Sequence, residues 1–198
     1  MRLFFLSMMT KIGYTTSRSP ANKTRSFIHD IIAVVPNSQR VVRGSSNLSF
    51  CINSMKNKGF TTAIIVNSVK GNPNFMRIFN LSSSPKEIPF AVKIRGLTLS
   101  REYQGKKRSK KPSNSILISS LNSSKEEDVL RKILGISKEK IENIQRKEYV
   151  TAYADYIEKD EGMIFIEFLD KNNAQVGPRI KLRIIPRNVT ESNQETIK

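Results

Sequence analysis

Residues 11–27 have the sequence KIGYTTSRSPANKTRSF, and this stretch decides how the fold begins. Apolar and polar side chains alternate over Lys11–Arg18, which predicts a strand. Ser19 and Pro20 then predict a helix start, because proline suits the first helical position. An apolar stripe at helical spacing carries this helix to about Val35. The chain therefore opens with a strand that leads directly into a helix.

The same signals divide the rest of the chain into a first and a second half. The first half continues with a strand over Gln39–Arg43 and a helix from Ser46 or Asn47 to Gly59. A hairpin follows, in which the strands Thr61–Val69 and Phe75–Leu81 flank a tight turn at Gly71–Asn74. A long strand over Phe90–Tyr103 ends this half. The second half is predicted to contain a strand over Ile116–Leu121, a helix from Ser123 or Ser124 to Gly135, a short helix over Ser137–Gln145, and strands over Glu148–Ile157, Met163–Leu169 and Arg179–Ile185. Each half starts with a strand and a helix and ends with antiparallel strands. This order predicts an α/β (α+β) fold of two similar units, although the identity between the halves is too faint to prove a duplication.

Basic residues are concentrated in the first half. The chain has 34 lysines and arginines against 17 acids, a formal net charge of +17. Residues 1–111 contain 20 basic residues and three acids, whereas residues 112–198 contain 14 of each. The excess positive charges repel one another, which favours a polyanionic partner. Nucleic acid is the first candidate, an anionic membrane surface is the second, and a basic surface that only confers solubility is the third.

Catalytic and metal-binding motifs are absent from the sequence. Cys51 is the single cysteine and His29 the single histidine, so the chain forms no internal disulfide and lacks the ligands of a zinc site. Cys51 falls in an apolar helical pattern, which predicts a buried residue rather than a reactive thiol. There is no P-loop, no GxGxxG motif and no recognisable Ser–His or Cys–His arrangement. We therefore predict no catalytic residue, no metal and no cofactor.

The connection from the first strand to the first helix is the candidate phosphate site. A helix N-terminus offers unpaired N–H groups and the positive end of the helix dipole. Ser17 adds a hydroxyl donor there, and positive charge comes from Arg18, Lys23 and Arg25. The alternative is an ordinary capped helix with a solvated basic face.

Three other basic segments are candidates for the same partner. Arg40 and Arg43 lie at the end of a short strand, where they reach the rim of the same surface or only discourage edge-to-edge pairing. The densest cluster is a loop that could bind along an RNA groove or serve as a nuclear import signal, and it contains Lys106, Lys107, Arg108, Lys110 and Lys111. Arg179 starts the last strand on a basic face, opposite an apolar one, and that basic face either binds RNA or is simply solvated.

Several separated motifs, in their order along the chain, resemble the Brix-domain family. The residues that carry the resemblance are Tyr14–Pro20, Arg25–Phe27, Pro36, Arg43–Gly44, Gly71–Pro73 and Val176–Leu182. The resemblance spans about residues 10–187 and is greatest to the compact archaeal members. It implies two halves, each like the anticodon-binding domain of class II aminoacyl-tRNA synthetases. It also implies a cytoplasmic ribosome biogenesis factor that binds ribosomal RNA or pre-rRNA, or helps to pair it with a guide RNA. The other implied partners are assembly-factor proteins, and no membrane is involved.

The predicted organisation is a single Brix domain over residues 10–187. It consists of a basic N-terminal half at 10–104, a basic loop at 105–115 and a neutral C-terminal half at 116–187, with a flexible leader at 1–9 and tail at 188–198. Two rival functions remain open at this stage. A permanent ribosomal protein would stay with mature subunits, and an RNA-modifying enzyme would change its RNA product.

Overall fold

A computed structural model describes residues 10–103, 111–136, 149–157 and 160–187. Three α-helices and nine strands lie in these ranges. In chain order they are β1 (Ile12–Thr16), α1 (Asn22–Val34), β2 (Ser38–Arg40), α2 (Leu48–Asn57), β3 (Thr62–Val69), β4 (Asn72–Asn80), β5 (Lys86–Thr98), β6 (Asn114–Ser119), α3 (Ser124–Leu134), β7 (Tyr149–Tyr156), β8 (Ile164–Asp170) and β9 (Arg179–Pro186). A single 3-10 turn, Ser100–Glu102, follows β5.

All nine strands form one sheet, in the order β2-β1-β3-β4-β5-β9-β8-β7-β6. In the first half β1 pairs in parallel with β3, and β3, β4 and β5 then pair antiparallel. The second half repeats this arrangement, because β6 pairs in parallel with β7, and β7, β8 and β9 then pair antiparallel. The halves meet where β5 and β9 pair antiparallel, so the predicted α/β fold of two similar units is confirmed.

Helices α1 and α3 share one face of the sheet and one hydrophobic core. The core includes Phe27 and Ile31 of α1, Leu130 of α3, and the inward side chains of β1. The buried hydroxyl of Tyr14 in β1 donates a hydrogen bond of 2.6 Å to the carbonyl of Ile133 in α3. A helix of the second half therefore packs directly on a strand of the first.

Helix α2 covers the opposite face of the sheet in the first half. Cys51 and Met55 pack there with Ala63 and Ile65 of β3, and the buried position predicted for Cys51 is confirmed. Burial raises the pKa of the Cys51 thiol. Gly13 allows the close approach, because a Cβ at this position would lie 2.1 Å from Cε of Met55.

Element boundaries differ from the sequence prediction where the chain changes faces. Helix α1 begins at Asn22, not at Pro20, since Ala21 still has extended angles of φ −65° and ψ 157°. The residues before it are needed to carry the chain from the sheet edge to the inner face. Strand β2 ends at Arg40, not at Arg43, because residues 41–47 cross to the outer face to begin α2.

The first hairpin turns earlier than the sequence predicted. Its turn consists of Lys70 and Gly71, with φ values of 47° and 81°, and β4 already begins at Asn72. Positive φ at both central residues matches the twist of the two strands and allows a two-residue turn. The predicted helix over Ser137–Gln145 lies outside the described residues, as do most residues of the predicted basic loop.

Candidate nucleic-acid interface

Of the twelve predicted RNA-binding residues, five lie at one edge of the sheet, where β1 and β2 end, and Arg40 lies beside it. Strands β1 and β2 are parallel, so their carboxyl ends point to the same edge. The connection after β1 contains Ser17 and Arg18, and α1 then begins with Lys23 and Arg25 in its first turns. The connection after β2 contains Arg43. Tertiary structure thus places two sequence segments with positive charge side by side.

Three arginines form the centre of this edge. Desolvation by partial burial lowers the pKa of Arg43, and the positive charges of Arg18 and Arg77 lower it further. Nε of Arg43 donates to the carbonyl of Ser46 at 2.9 Å, which fixes the guanidinium close to the protein surface. Arg18 is exposed, and within the described ranges it makes no ion pair or hydrogen bond. We call Arg18, Arg43 and Arg77 the arginine cluster.

A carboxylate compensates part of the arginine cluster. Arg77 donates to both oxygens of Glu87, at 2.9 and 2.6 Å. Glu87 also contacts Arg187 at 3.0 Å, so its single negative charge is shared between two guanidinium groups. The local charge remains positive, and mutual repulsion of the arginines is relieved most directly by a bound anion.

The first turn of α1 begins four residues after Arg18 in the chain and has no side-chain cap. Its N-cap residue is Ala21, which has no side-chain oxygen to accept a hydrogen bond from the N–H groups of the first turn. No acidic residue occupies that turn. The unpaired N–H groups, the positive helix end and the basic side chains of Lys23 and Arg25 together favour a phosphate. Ser17 continues the sheet, since its N–H donates to the carbonyl of Val66 at 3.2 Å.

Arg40 faces the first helix rather than the cluster. Its Nη1 atom lies 3.0 Å from Nε2 of His29 on α1. His29 is exposed, as its place on the polar side of the helical pattern predicts. The contact keeps Arg40 at the side of α1, adjacent to the same edge.

Two predicted RNA-binding residues lie away from this edge. The Lys111 ammonium donates to the carbonyl of Ser38, at the opposite end of β2, and burial lowers the pKa of that ammonium. Arg179 forms a 3.2 Å ion pair with Glu167, and its guanidinium lies 5.1 Å from the ring centre of Tyr103. Lys106, Lys107, Arg108 and Lys110 lie outside the described residues.

Two residues at the edge were missed at the level of sequence. Arg77 interrupts the apolar run Phe75–Phe79 of β4, and only its pairing opposite Ile65 shows that it faces the side of α2. Phe50 is 64% exposed in the first turn of α2. It falls off the apolar stripe that contains Cys51, so the sequence contained a signal for an exposed aromatic ring.

The structure gives no sign of a metal site or a membrane span in the part of the chain that it describes. No group of three or more His, Cys, Asp or Glu side chains in those ranges could hold a metal ion. None of the described helices is long and apolar enough to cross a membrane.

Comparison with known proteins identifies relatives over nearly the whole chain. No protein-family model matches. A probable Brix domain-containing ribosomal biogenesis protein of Sulfurisphaera tokodaii is 26% identical over 178 residues, which cover 90% of this chain and 94% of that protein. A protein of the same description from Methanopyrus kandleri is 30% identical over 97 residues, 49% of this chain and 50% of that protein.

A solved structure supports the fold. The crystal structure of a probable ribosomal biogenesis protein from Aeropyrum pernix matches with a TM-score of 0.74 at 22% identity, covering 91% of this chain and 97% of that one. The resemblance to the Brix-domain family, and in particular to archaeal members, is therefore confirmed.

Proposed function

We propose, from the similarity to Brix-domain ribosomal biogenesis proteins, that this chain is a ribosome biogenesis factor. It binds structured pre-ribosomal RNA and assists rRNA processing and subunit assembly without catalysing a reaction. Its partners are pre-rRNA, a guide RNA that pairs with it, and other assembly-factor proteins. A cytoplasmic location is part of the proposal and rests on the archaeal relatives.

The observation that carries this proposal is that the arginine cluster and the uncapped start of α1 both follow the carboxyl ends of the parallel strands β1 and β2. Phosphate oxygens accept hydrogen bonds from arginine forks and from the free N–H groups of a helix N-terminus. Here both kinds of donor occur at one edge, with Lys23 and Arg25 adding charge. Contacts of this kind position a nucleic acid without reading its sequence, so specificity comes from the shape of the RNA and from partners.

The second half supplies a different surface. It has as many acids as bases, and several of its basic residues are paired, as Arg131 is with Glu127 at 2.6 Å. A surface with no net charge does not attract the negative phosphates of RNA. We therefore assign most of the phosphate contacts to the first half and contacts with protein partners to the second.

The first experiment measures the affinity of the protein for ribosomal RNA fragments over a range of salt concentrations, with double-stranded DNA as competitor. Each phosphate contact contributes about −0.7 to −0.9 to the slope of log K against log salt. The double variant Arg18→Ala/Arg43→Ala should weaken binding and make the slope shallower by about 1.4 to 1.8. The matched control is Lys125→Ala/Lys171→Ala, which removes two exposed charges elsewhere and should change neither quantity by as much.

Three outcomes would contradict the proposal in different ways. If the wild-type protein does not bind RNA at low salt, the RNA-binding function is wrong. Co-sedimentation with mature subunits, rather than with precursor particles, would favour a permanent ribosomal protein. A change in the mass or length of the bound RNA would favour an enzyme.

A further inference from the structure

Among the described residues, no helix covers the centre of the outer face of the sheet. Helix α2 covers β1 and β3 on this face, whereas α1 and α3 lie on the other. No helix of the described ranges lies over the outward side chains of β5 and β9. Lys181 is exposed there, and Phe75, Lys93 and Phe165 are partly exposed.

Strand register places basic and aromatic side chains in adjacent rows on this face. Residues directly opposite each other in antiparallel strands have their side chains on the same face. In one row, Lys93 of β5 lies between Phe75 of β4 and Arg183 of β9. In the next row, Lys181 of β9 lies opposite Phe165 of β8. These five residues, called here the central rows, come from both halves of the chain.

The two lysines differ from the arginines around them. Arg183 contacts Asp160 at 2.5 Å, and the nearby Arg179 contacts Glu167 at 3.2 Å. Within the described ranges, neither the Lys93 nor the Lys181 side chain has an ion pair or a hydrogen bond. The central rows therefore hold two uncompensated positive charges. These charges lie between two aromatic rings.

The central rows continue the arginine cluster. Arg77 and Phe75 are two residues apart on β4 and so share the outer face. Positive side chains thus follow one another from the edge of the first half, through Arg77, to Lys93 and Lys181 at the junction of the halves. On the far side of Phe165, Asp155 of β7 lies directly opposite it, so a negative charge ends this series of positive side chains.

We propose that a single-stranded segment of RNA crosses the central rows. Lys93 and Lys181 bind its phosphates, and Phe165 and the free part of Phe75 stack on its bases. This inference rests on the RNA-binding function proposed above and adds the class of RNA, because only unpaired bases can stack on protein side chains. The Arg187 guanidinium lies over the Phe75 ring, 5.8 Å from its centre, and so occupies one side of this ring.

The dimensions suit a short segment. Phe75 and Phe165 lie on strands separated by three inter-strand spacings, about 14 Å. Open four-stranded sheets with exposed aromatic residues stack two or three bases over such a width. An RNA duplex, in contrast, offers phosphates to the lysines but no base to the rings.

The test compares an unstructured rRNA oligonucleotide with the same sequence in a duplex, using the full chain. Lys93→Ala/Lys181→Ala should lower affinity for the single strand several-fold and make its salt slope shallower by about 1.4. Phe165→Ala should lower that affinity at least about fivefold with little effect on the duplex. Phe165→Tyr should retain binding because it keeps the ring. Thermal unfolding of each variant shows that it is folded, and Lys125→Ala/Lys171→Ala is the matched charge control.

The outcomes separate this inference from the proposed function. If Arg18→Ala/Arg43→Ala weakens binding but the central-row variants bind both RNA forms like the wild type, the single-strand path is wrong and the RNA-binding function stands. Failure of the wild type to bind any RNA would overturn both. Should the central-row variants keep their RNA affinity but lose a protein from purified precursor particles, this face is a protein-docking surface and the inference is also wrong.

Discussion

Replacing Tyr14 by Phe tests how the second half is held to the first. The Tyr14 hydroxyl is fully buried and donates to the carbonyl of Ile133 at 2.6 Å. Ile133 lies in the last turn of α3, where carbonyl groups lack a partner within the helix. Phe keeps the ring and its packing but leaves that buried carbonyl without this donor. The expected cost is about 1–3 kcal/mol of the free energy of unfolding.

Urea or thermal unfolding followed by circular dichroism measures this cost. For a chain of this size, each kcal/mol lowers the Tm by about 2–4 °C, so we expect a decrease of roughly 2–12 °C. Tyr103→Phe is the matched control, because its hydroxyl is only partly buried and lies at 3.4 Å from its acceptor, the carbonyl of Thr98. A loss for Tyr14→Phe no larger than that of the control would refute the reasoning that this hydrogen bond joins the halves.

Two further predictions concern buried ionisable groups. Burial raises the pKa of Tyr14 above its ordinary value of 10.0, so the folded state keeps the proton while the unfolded state loses it above that pH. The stability that this group contributes is therefore fully present below about pH 10 and decreases as the pH rises further. Unfolding curves between pH 8 and 11 should show this decrease in the free energy of unfolding for the wild type. In Tyr14→Phe the decrease that is due to this group should be absent. Glu87→Gln removes the carboxylate shared by Arg77 and Arg187, and leaves two largely buried guanidinium groups without it. We expect a loss of about 3 kcal/mol in denaturant unfolding, whereas Glu161→Gln, in an exposed turn, should be close to neutral; equal effects of the two variants would contradict the structural role of Glu87.

Elements whose signals are local were predicted well. Helix α3 has Ser123 as its N-cap, with the side chain accepting from Glu126, and ends at Gly135 with φ 65°. Both signals act within one helical turn, so no other part of the chain is needed to interpret them. Helix α2, which begins after Asn47, follows the same rule.

Boundaries set by distant strands were predicted less well. Strand β5 begins at Lys86, four residues before the sequence prediction, because Lys86 pairs with Asn80 of β4. Strand β2 stops at Arg40, since pairing with β1 ends at Tyr14. In both cases the length of the partner strand decides how far the extended backbone continues, and the residue types of the strand itself do not predict that length.

The candidate site shows the same division. Sequence alone predicted a phosphate site in the connection from Ser17 to Arg25, because charge, hydroxyl groups and a helix start coincide there, and it added Arg43 at the end of a strand. It could not place Arg77 next to Arg43, nor show that Lys111 lies at the opposite end of β2. Those neighbours come from strands that the chain brings together over tens of residues.

The sequence by itself determined the excess of positive charge in the first half, the apolar periods of the helices and strands, and the order of the two similar units. Each of these depends only on residue type and spacing. Tertiary structure alone decided which side chains share a surface, above all Lys93 of the first half with Lys181 and Phe165 of the second. The physical reason is strand register. A shift of one residue between β5 and β9 would turn every side chain to the other face, and only the packing of the whole sheet against its helices fixes that register.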